Sequence, residues 1–303
     1  MGNITVIGSS NTDLIMQVDN IPNPGETILA NQFSITPGGK GANQAVAAAR
    51  AGGAVNFIAC IGKDIFGDNA IEVLKKENID TSFIHRNNDT PSGIAMVYVD
   101  SNAENSISIA PGSNFELSPK NIDKSFDRIF EKKIILAQLE IPIETVEHTA
   151  RISRKHGITY ILDPAPAELL NDDLLRNIDI ITPNETEAEK LTGIAVTDET
   201  NARSACDKLH DRGTDTIIIT MGSRGAFLSN SAHSLLLPSY KVDPIDTTGA
   251  GDIFNGALAK SLSEDSDIIE AIKFANAAAA ISVTKFGAQS SAPKESEIRA
   301  LIG

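Results

Sequence analysis

Short apolar runs rich in β-branched residues punctuate the chain: ITVIG (4–8), VNFIACIG (55–62), IILAQLEI (134–141), ITYILDP (158–164), DIITPN (179–184) and TIIITMG (216–222). Between them, NQAVAAARAGG (43–53), IPIETVEHTARISRKHG (141–157) and TNARSACDKLHDRG (200–213) carry apolar residues at helical spacing. Strands that are apolar throughout, alternating with amphipathic helices, predict an α/β fold with a mostly parallel sheet covered on both faces. Ligands of such sheets bind beyond the carboxyl ends of the strands. Several runs end there in polar or acidic tips, GSSNTD, QLE, DPAP, TPNE and TMGS, which gathers the candidate site along one edge.

Two segments break the alternation. GETILANQFSITPGG (25–39) and SGIAMVYVDSNAENSISIAPGSN (92–114) read as antiparallel ribbons, the second turning around Asn102–Glu104. With no helical segments to cover them, they predict a small sheet projecting from the main body, spanning about 14–36 and 92–112. Such a sheet serves as a flap over the site edge or as an edge that pairs with another subunit. Beyond residue 214 the pattern is strand-rich and then helical through IFNGALAKSL and IIEAIKFANAAAAISV. No internal repeat or linker divides the chain, so residues 1–303 are expected to form a single domain with this lid.

Composition narrows the partners. The net charge of −14 is the wrong sign for broad contact with nucleic acid or an anionic membrane. No apolar run approaches the roughly 20 residues needed to cross a bilayer, and MGNITVIGSS reads as a first strand rather than a signal peptide. Cys60 and Cys206 are the only cysteines, which disfavours a disulfide framework or a zinc site and fits a reducing, cytoplasmic compartment. A small-molecule ligand is the remaining default.

Four glycine-bearing or polar stretches carry the candidate chemistry. In DTTGAGD (246–252), Gly249, Ala250 and Gly251 precede a helical run, so free N–H groups and the helix dipole would receive an anion. Asp246, Thr247 or Asp252 acting as a plain N-cap is the simpler reading, but two glycines flanked by acids exceed what a cap requires. In PGGKGANQAVAAARAGG (37–53), Gly41 follows Lys40 where a Walker A loop needs Ser or Thr. A flexible turn with close helix packing explains its glycines and alanines; Lys40 and Asn43 suit hydrogen bonds to a polyhydroxylated ligand. TPNETEAEKLTG (182–193) sets Asn184 three residues before Glu187, the pattern of a capping box, or of groups that orient magnesium-bound waters. TMGSRG (220–225) is a polar turn able to wrap phosphates. His85, His148, His156, His210 and His233 all lie outside these motifs, and no GxGxxG follows the first strand. Histidine-based catalysis and dinucleotide binding both lose support.

Together these motifs resemble the ribokinase family of carbohydrate kinases over essentially the whole chain, from VIGSSNTD to GAQSSAP. GGKGANQA and DTTGAGDIFNGAL are specific in combination, and NPGET, DPAPAELL, TPNETEAEKLTG and KFGAQ follow in the family's order. The resemblance implies a ribokinase-like three-layer α/β/α sandwich with a small β-sheet lid. It also implies ATP-dependent phosphorylation of D-ribose at O5, with Mg²⁺, activation by K⁺, and a homodimer formed through the lid. Carried onto this sequence, it gives Asp252 as the base and Gly249, Ala250 and Gly251 as the anion hole. Sugar ligands would be Asn11, Thr12, Asp13, Gly39, Lys40, Gly41, Ala42, Asn43, Glu140 and Asp252. Nucleotide contacts would be Asn184, Glu187, Thr220, Met221, Gly222, Ser223, Arg224, Gly225, Gly251, Asp252 and Asn276. A potassium loop would use Asp246, Thr248, Ser282, Lys285, Gly287 and Ser291, with the Lys285 ammonium turned away. Asp163 stands where many relatives carry Asn, without an expected loss of activity. Alternatives are a kinase for 2-deoxyribose, another furanose or a nucleoside on the same scaffold, a silent sugar-binding protein, and a dehydrogenase.

Overall fold

The computed structural model describes residues 4–102, 104–129 and 133–303. Residues 1–3 of the expected single domain, and Ala103 at the expected ribbon turn, lie outside them. In chain order the elements begin with β1 (Ile4–Ile7), β2 (Asn11–Gln17), β3 (Gln32–Gly38), α1 (Lys40–Arg50), β4 (Val55–Gly62), α2 (Ile65–Lys76) and β5 (Ile84–Asn87). Next come β6 (Gly93–Val99), β7 (Asn105–Ala110), α3 (Pro119–Ile129), β8 (Ile134–Ala137), α4 (Ile143–His156), β9 (Thr159–Leu162), α5 (Asp172–Leu175) and β10 (Ile180–Ile181). The remainder is α6 (Glu185–Thr192), α7 (Glu199–Asp211), β11 (Thr216–Thr220), β12 (Ala226–Ser229), β13 (Ser234–Leu237), α8 (Ala250–Ser263), α9 (Ile268–Ser282) and α10 (Glu295–Ile302).

A nine-stranded sheet runs β13-β12-β11-β10-β9-β8-β1-β4-β5. It is parallel from β11 to β5 and antiparallel only where β12 and β13 fold back at one edge. Strands β1, β4 and β8 are buried along their full length, as a sheet covered on both faces requires. Two apolar clusters fill the faces. One joins Val6, Phe57 and Leu136 to α1, α8 and α9; the other joins Ile7, Ile58 and Ile135 to Val146, Tyr160 and Ala205.

The second sheet has the order β3-β2-β6-β7. Here the structure corrects the reading of residues 25–39 as a ribbon folded on itself. Residues 25–31 are not strand, and β3 pairs antiparallel with β2, whose residues follow directly from the polar tip of β1. The 92–114 segment does form an antiparallel pair, β6 with β7, and β6 lies parallel to β2. Asn11 and Asp13 are thus strand residues of the small sheet, rooted beside the edge of the large one.

What sets the site's geometry is the contact between α1 and α8. At Gly256 a Cβ would stand 2.5 Å from the Gln44 carbonyl oxygen and 2.6 Å from the Ala47 Cβ. The two helices therefore touch through backbone, one turn from Asn43 on α1 and Asp252 on α8. Gly256→Ala is expected to push them apart and destabilise the chain by about 1–3 kcal/mol, with a lower melting temperature in a thermal scan. An unchanged melt would mean that the helices give way freely.

Candidate functional site

The N-termini of α1 and α8 converge at the end of the large sheet. Asp252, in the first turn of α8, is only 5% exposed. Its Oδ2 accepts from Asn43 Nδ2 at 2.9 Å and its Oδ1 from Gln44 Nε2 at 3.0 Å. Burial raises its carboxyl above the ordinary range, while the Lys40 charge and the two amide hydrogen bonds pull it back. Gln44 Nε2 also donates to Asp163 Oδ2 at 2.7 Å, and Gln44 Oε1 accepts from Gln138 Nε2 at 2.5 Å. Asn43 keeps one buried atom, Oδ1, without a protein partner. Such an atom is an acceptor available to a ligand hydroxyl.

On the sugar side as expected from the sequence, Glu140 Oε2 accepts from the Lys40 N–H at 3.0 Å and from Ser9 Oγ at 2.5 Å. Asn11 Oδ1 accepts from Asn114 Nδ2 at 2.7 Å, and Asn114 Oδ1 accepts from the Ser10 N–H. Asp13 pairs across strands with Thr36 and Ala95, and burial, then the Glu140 charge, raise its carboxyl to about 6. Around Lys40, burial opposes the ammonium, but Asp252, Asp163, Glu140 and Glu187 hold its pKa up. Gly39, Gly41 and Ala42 contribute backbone at the start of α1, where the Gly41 N–H points to Ser9 Oγ at 3.3 Å. Thr12 is buried on β2.

The turn before α8 is not capped by a side chain. Gly249 is the N-cap at φ 73°, a left-handed conformation that suits glycine, and a Cβ there would meet that of Ala288 at 2.7 Å. The expected cap readings of Asp246, Thr247 and Asp252 are corrected accordingly. Within the expected anion hole, the Ala250 N–H donates to the Thr247 carbonyl at 3.2 Å. The N–H groups of Gly249 and Gly251 have no acceptor among the described residues, and the space over Gly251 is open. Unpaired donors at a helix start are the chemistry an anion needs.

Around the expected nucleotide region, the simpler reading of TPNETE holds as local structure: Asn184 and Glu187 form a capping box on α6. Burial raises Glu187 against the Asn184 hydrogen bonds. Thr220 donates its N–H to Pro183, and the turn closes through Met221 N–H to the Gly225 carbonyl. Within that turn, Gly222, Ser223 and Arg224 form a short 3-10 helix, and Arg224 pairs with Glu185 at 2.8 Å. Asn276 Nδ2 is spent on the Leu237 and Pro238 carbonyls, at 3.1 and 3.3 Å.

The expected cation loop is brought together by Asp246. Its oxygens accept from the Thr248 N–H at 2.9 Å and the Gly287 N–H at 2.8 Å, joining the two halves of the loop. Partial burial opposes the Asp246 charge, yet hydrogen bonds from Thr248 and Gly287 hold its carboxyl below the usual range. The Lys285 ammonium turns outward to Glu297 at 2.8 Å. Ser282 and Ser291 direct their hydroxyls to the carbonyls of Ala279 and Ala288. Arg50, at the far end of α1, donates to the Gln289 and Ala292 carbonyls, at 2.8 and 3.1 Å.

Sequence reasoning passed over Gln44, Ser9, Asn114 and Gln138. Gln44 stands next to Asn43 in the Lys40 motif, and Ser9 and Gln138 lie in the polar strand tips GSSNTD and QLE, but none of these positions carried an assigned role.

The profile of the pfkB family of carbohydrate kinases matches residues 1–295. The chain belongs to this family. It is 47% identical over 294 residues to a ribokinase of Haemophilus influenzae, covering 97% of this chain and 96% of that one. It is 42% identical to a deoxyribokinase of Salmonella typhi over 291 residues, covering 96% and 95%. Among solved structures, ribokinase from Thermotoga maritima superposes with a TM-score of 0.92 at 39% identity, covering 100% and 99%. Arabidopsis thaliana ribokinase, complexed with ribose and ATP, superposes at 0.94 with 31% identity, covering 99% and 98%. The ribokinase-like α/β fold with a second small sheet, expected from the sequence, is thereby borne out.

The Asp13 carboxyl titrates near 6 when folded and near 3.8 when unfolded, so the folded chain binds more protons between those values. Its stabilising contribution is therefore full below about 4 and lost as pH rises through about 6. Asp13→Asn is expected to stabilise the ligand-free chain near neutral pH by on the order of 1–2 kcal/mol, with the gain shrinking towards about pH 4. Melting curves at the two pH values check this; a gain that grows on acidification contradicts it.

Proposed function

We propose that this chain transfers the γ-phosphoryl group of ATP to O5 of D-ribose. The observation that carries the reading is the buried Asp252 carboxylate, aimed by Asn43 and Gln44 beside the N–H groups of Gly249 and Gly251, which have no acceptor among the described residues. One turn of chain thus joins an acceptor for the attacking hydroxyl to donors for the transferring group. The similarity to ribokinases, one of them complexed with ribose and ATP, supports this choice of substrates.

An aspartate with an ordinary pKa near 4 is a weak base towards an alcohol. Phosphoryl transfer asks little of it, because the transition state is loose and the proton leaves late. Asp252 accepts the hydrogen bond of O5–H and holds that oxygen in line. Donors at 249–251 meet the charge spread over the phosphoryl oxygens, typically worth a few kcal/mol each. Asn11, Asp13, Lys40, Asn43 and Glu140 bind the sugar hydroxyls, with Asn43 Oδ1 as a ready acceptor. Residues 220–225, with Asn184 and Asn276, border the nucleotide.

Among the described residues, no group of three or more His, Cys, Asp or Glu converges to hold a metal. Magnesium would come with the nucleotide and supply positive charge against the phosphates, and Glu187, whose carboxylate also accepts from the Asn184 N–H, would orient its waters. The acidic surroundings of Lys40 fit such a charged complex. Potassium would be held by hard oxygens of the loop that Asp246 ties together, with carbonyls as main ligands and Arg50 fixing two of the neighbouring ones.

The small sheet is proposed to act as a lid and as the homodimer contact. On it, Asp13 shares a face with Ile15, Val97, Ile107 and Ile109, while Leu14, Met16, Phe33, Ile35, Met96 and Tyr98 lie on the opposite face. Phe33 and Ile35 are each 55% exposed, an apolar surface that a second copy would bury. Among the described residues no helix is long and apolar enough to cross a membrane, and the proposed site of action is the cytoplasm.

A second reading, a kinase for 2-deoxyribose, is favoured by the deoxyribokinase relative. A coupled assay across pentoses, 2-deoxyribose and nucleosides, with and without potassium, separates the two. Ribose is expected to give the highest kcat/KM, with activity rising on addition of potassium; a preference for deoxyribose overturns the first reading. Asp252→Asn is expected to lower kcat by roughly 10²–10⁴-fold, with ribose affinity by calorimetry little changed. Near wild-type turnover would remove Asp252 from the role of base.

A further inference from the structure

Asp163 is a buried acid that the transfer itself does not use. It is 5% exposed, as Asp252 is, and both carboxylates accept from the same atom, Gln44 Nε2, at 2.7 and 3.0 Å. The orientation of that amide is fixed from behind, since Gln44 Oε1 accepts from Gln138 Nε2. Two carboxylates bridged by one neutral nitrogen in a buried place cannot both ionise cheaply. The surrounding charges do not relieve them: among the described residues Lys40 is the cation that acts on both, while Glu187 adds negative charge at Asp163 and Glu140 at Asp252.

We infer that Asp163 and Asp252 share one proton at neutral pH, carried by Asp163, so that Asp252 is the ionised member and Gln44 fixes the two relative to each other. The placement of the proton follows from unequal solvation. Asp252 receives two amide hydrogen bonds and lies in the first turn of α8, where the helix dipole favours a negative charge. Among the described residues, the Asp163 side chain receives only the Gln44 hydrogen bond. Burial, with Asp252 and Glu187 nearby, accordingly drives its carboxyl well above the usual range against the pull of Lys40. Asp163 is a positioning residue: as a neutral acid it gives Gln44 an acceptor without adding a second charge where phosphates must approach.

The inference rests on Asp252 as base, and its test includes a readout that needs no catalysis. In infrared difference spectra near neutral pH, the carbonyl band of a protonated carboxylic acid should be present in the wild type and lost in Asp163→Asn. In Asp252→Asn that band should remain. A band lost only in Asp252→Asn would put the proton on the wrong acid, and no loss in either variant would abolish the shared proton; both overturn the inference even if the chain phosphorylates another sugar. In the pH profile of kcat/KM for ribose, wild type should decline at alkaline pH as Asp163 ionises. Asp163→Asn should keep kcat within about threefold near neutrality and move that alkaline limb upward by about one pH unit or more. Superimposable profiles would contradict the role.

Discussion

Burying a carboxylate is costly unless hydrogen bonds and opposite charge compensate it, and this site is built around meeting that cost at Asp252. The compensation comes almost wholly from one helix: α1 brings Lys40, Asn43 and Gln44 at i, i+3 and i+4 of its first turns, on one face. For these groups to reach Asp252, α1 and α8 must touch through backbone, which the absence of a side chain at Gly256 permits. The sheet supplies the remaining members from its strand ends, Glu140 and Gln138 after β8 and Asp163 after β9. Fold and chemistry therefore share one constraint, the approach of two helix N-termini over the end of a parallel sheet.

This arrangement also resolves why a loop suited to an anion ends in an acid. On the proposed reading, the N–H groups of Gly249 and Gly251 receive the phosphoryl group and the carboxylate of Asp252 the attacking hydroxyl, though barely a turn of chain separates them. Asp246, the acid at the other end of the motif, belongs to a different task, clasping the 246–248 and 285–291 segments through two backbone N–H groups. Arg50 ties the far end of α1 to the same segment. The helix that aims the Asp252 carboxylate thus also braces the proposed cation loop.

Much of this was legible in the sequence because it is local. Apolar runs alternating with helical periodicity give the parallel sheet, and the Lys40 and Asp252 motifs announce themselves as glycine clusters next to helix starts. Pairings distant along the chain were not legible. The partner of β3 is β2, reached across residues 18–31; the PNPG turn at 22–25 marks a reversal there, but the loop is too long for it to fix the register of that pairing. Gln44 meets Asp252 across 208 residues, and Asn114 meets Asn11 across 103, contacts that no local pattern encodes. TPNETE shows the converse: its pattern is complete as a capping box, so local logic explains Asn184 and Glu187 without a ligand.

The most direct test is a crystal structure of the chain with ribose and a non-hydrolysable ATP analogue. The account expects O5 of the sugar within hydrogen-bond distance of Asp252, with the terminal phosphate analogue over the N–H groups of 249–251 and in line with O5. A sugar that offers Asp252 a different hydroxyl, or a phosphate seated away from that turn, would contradict it.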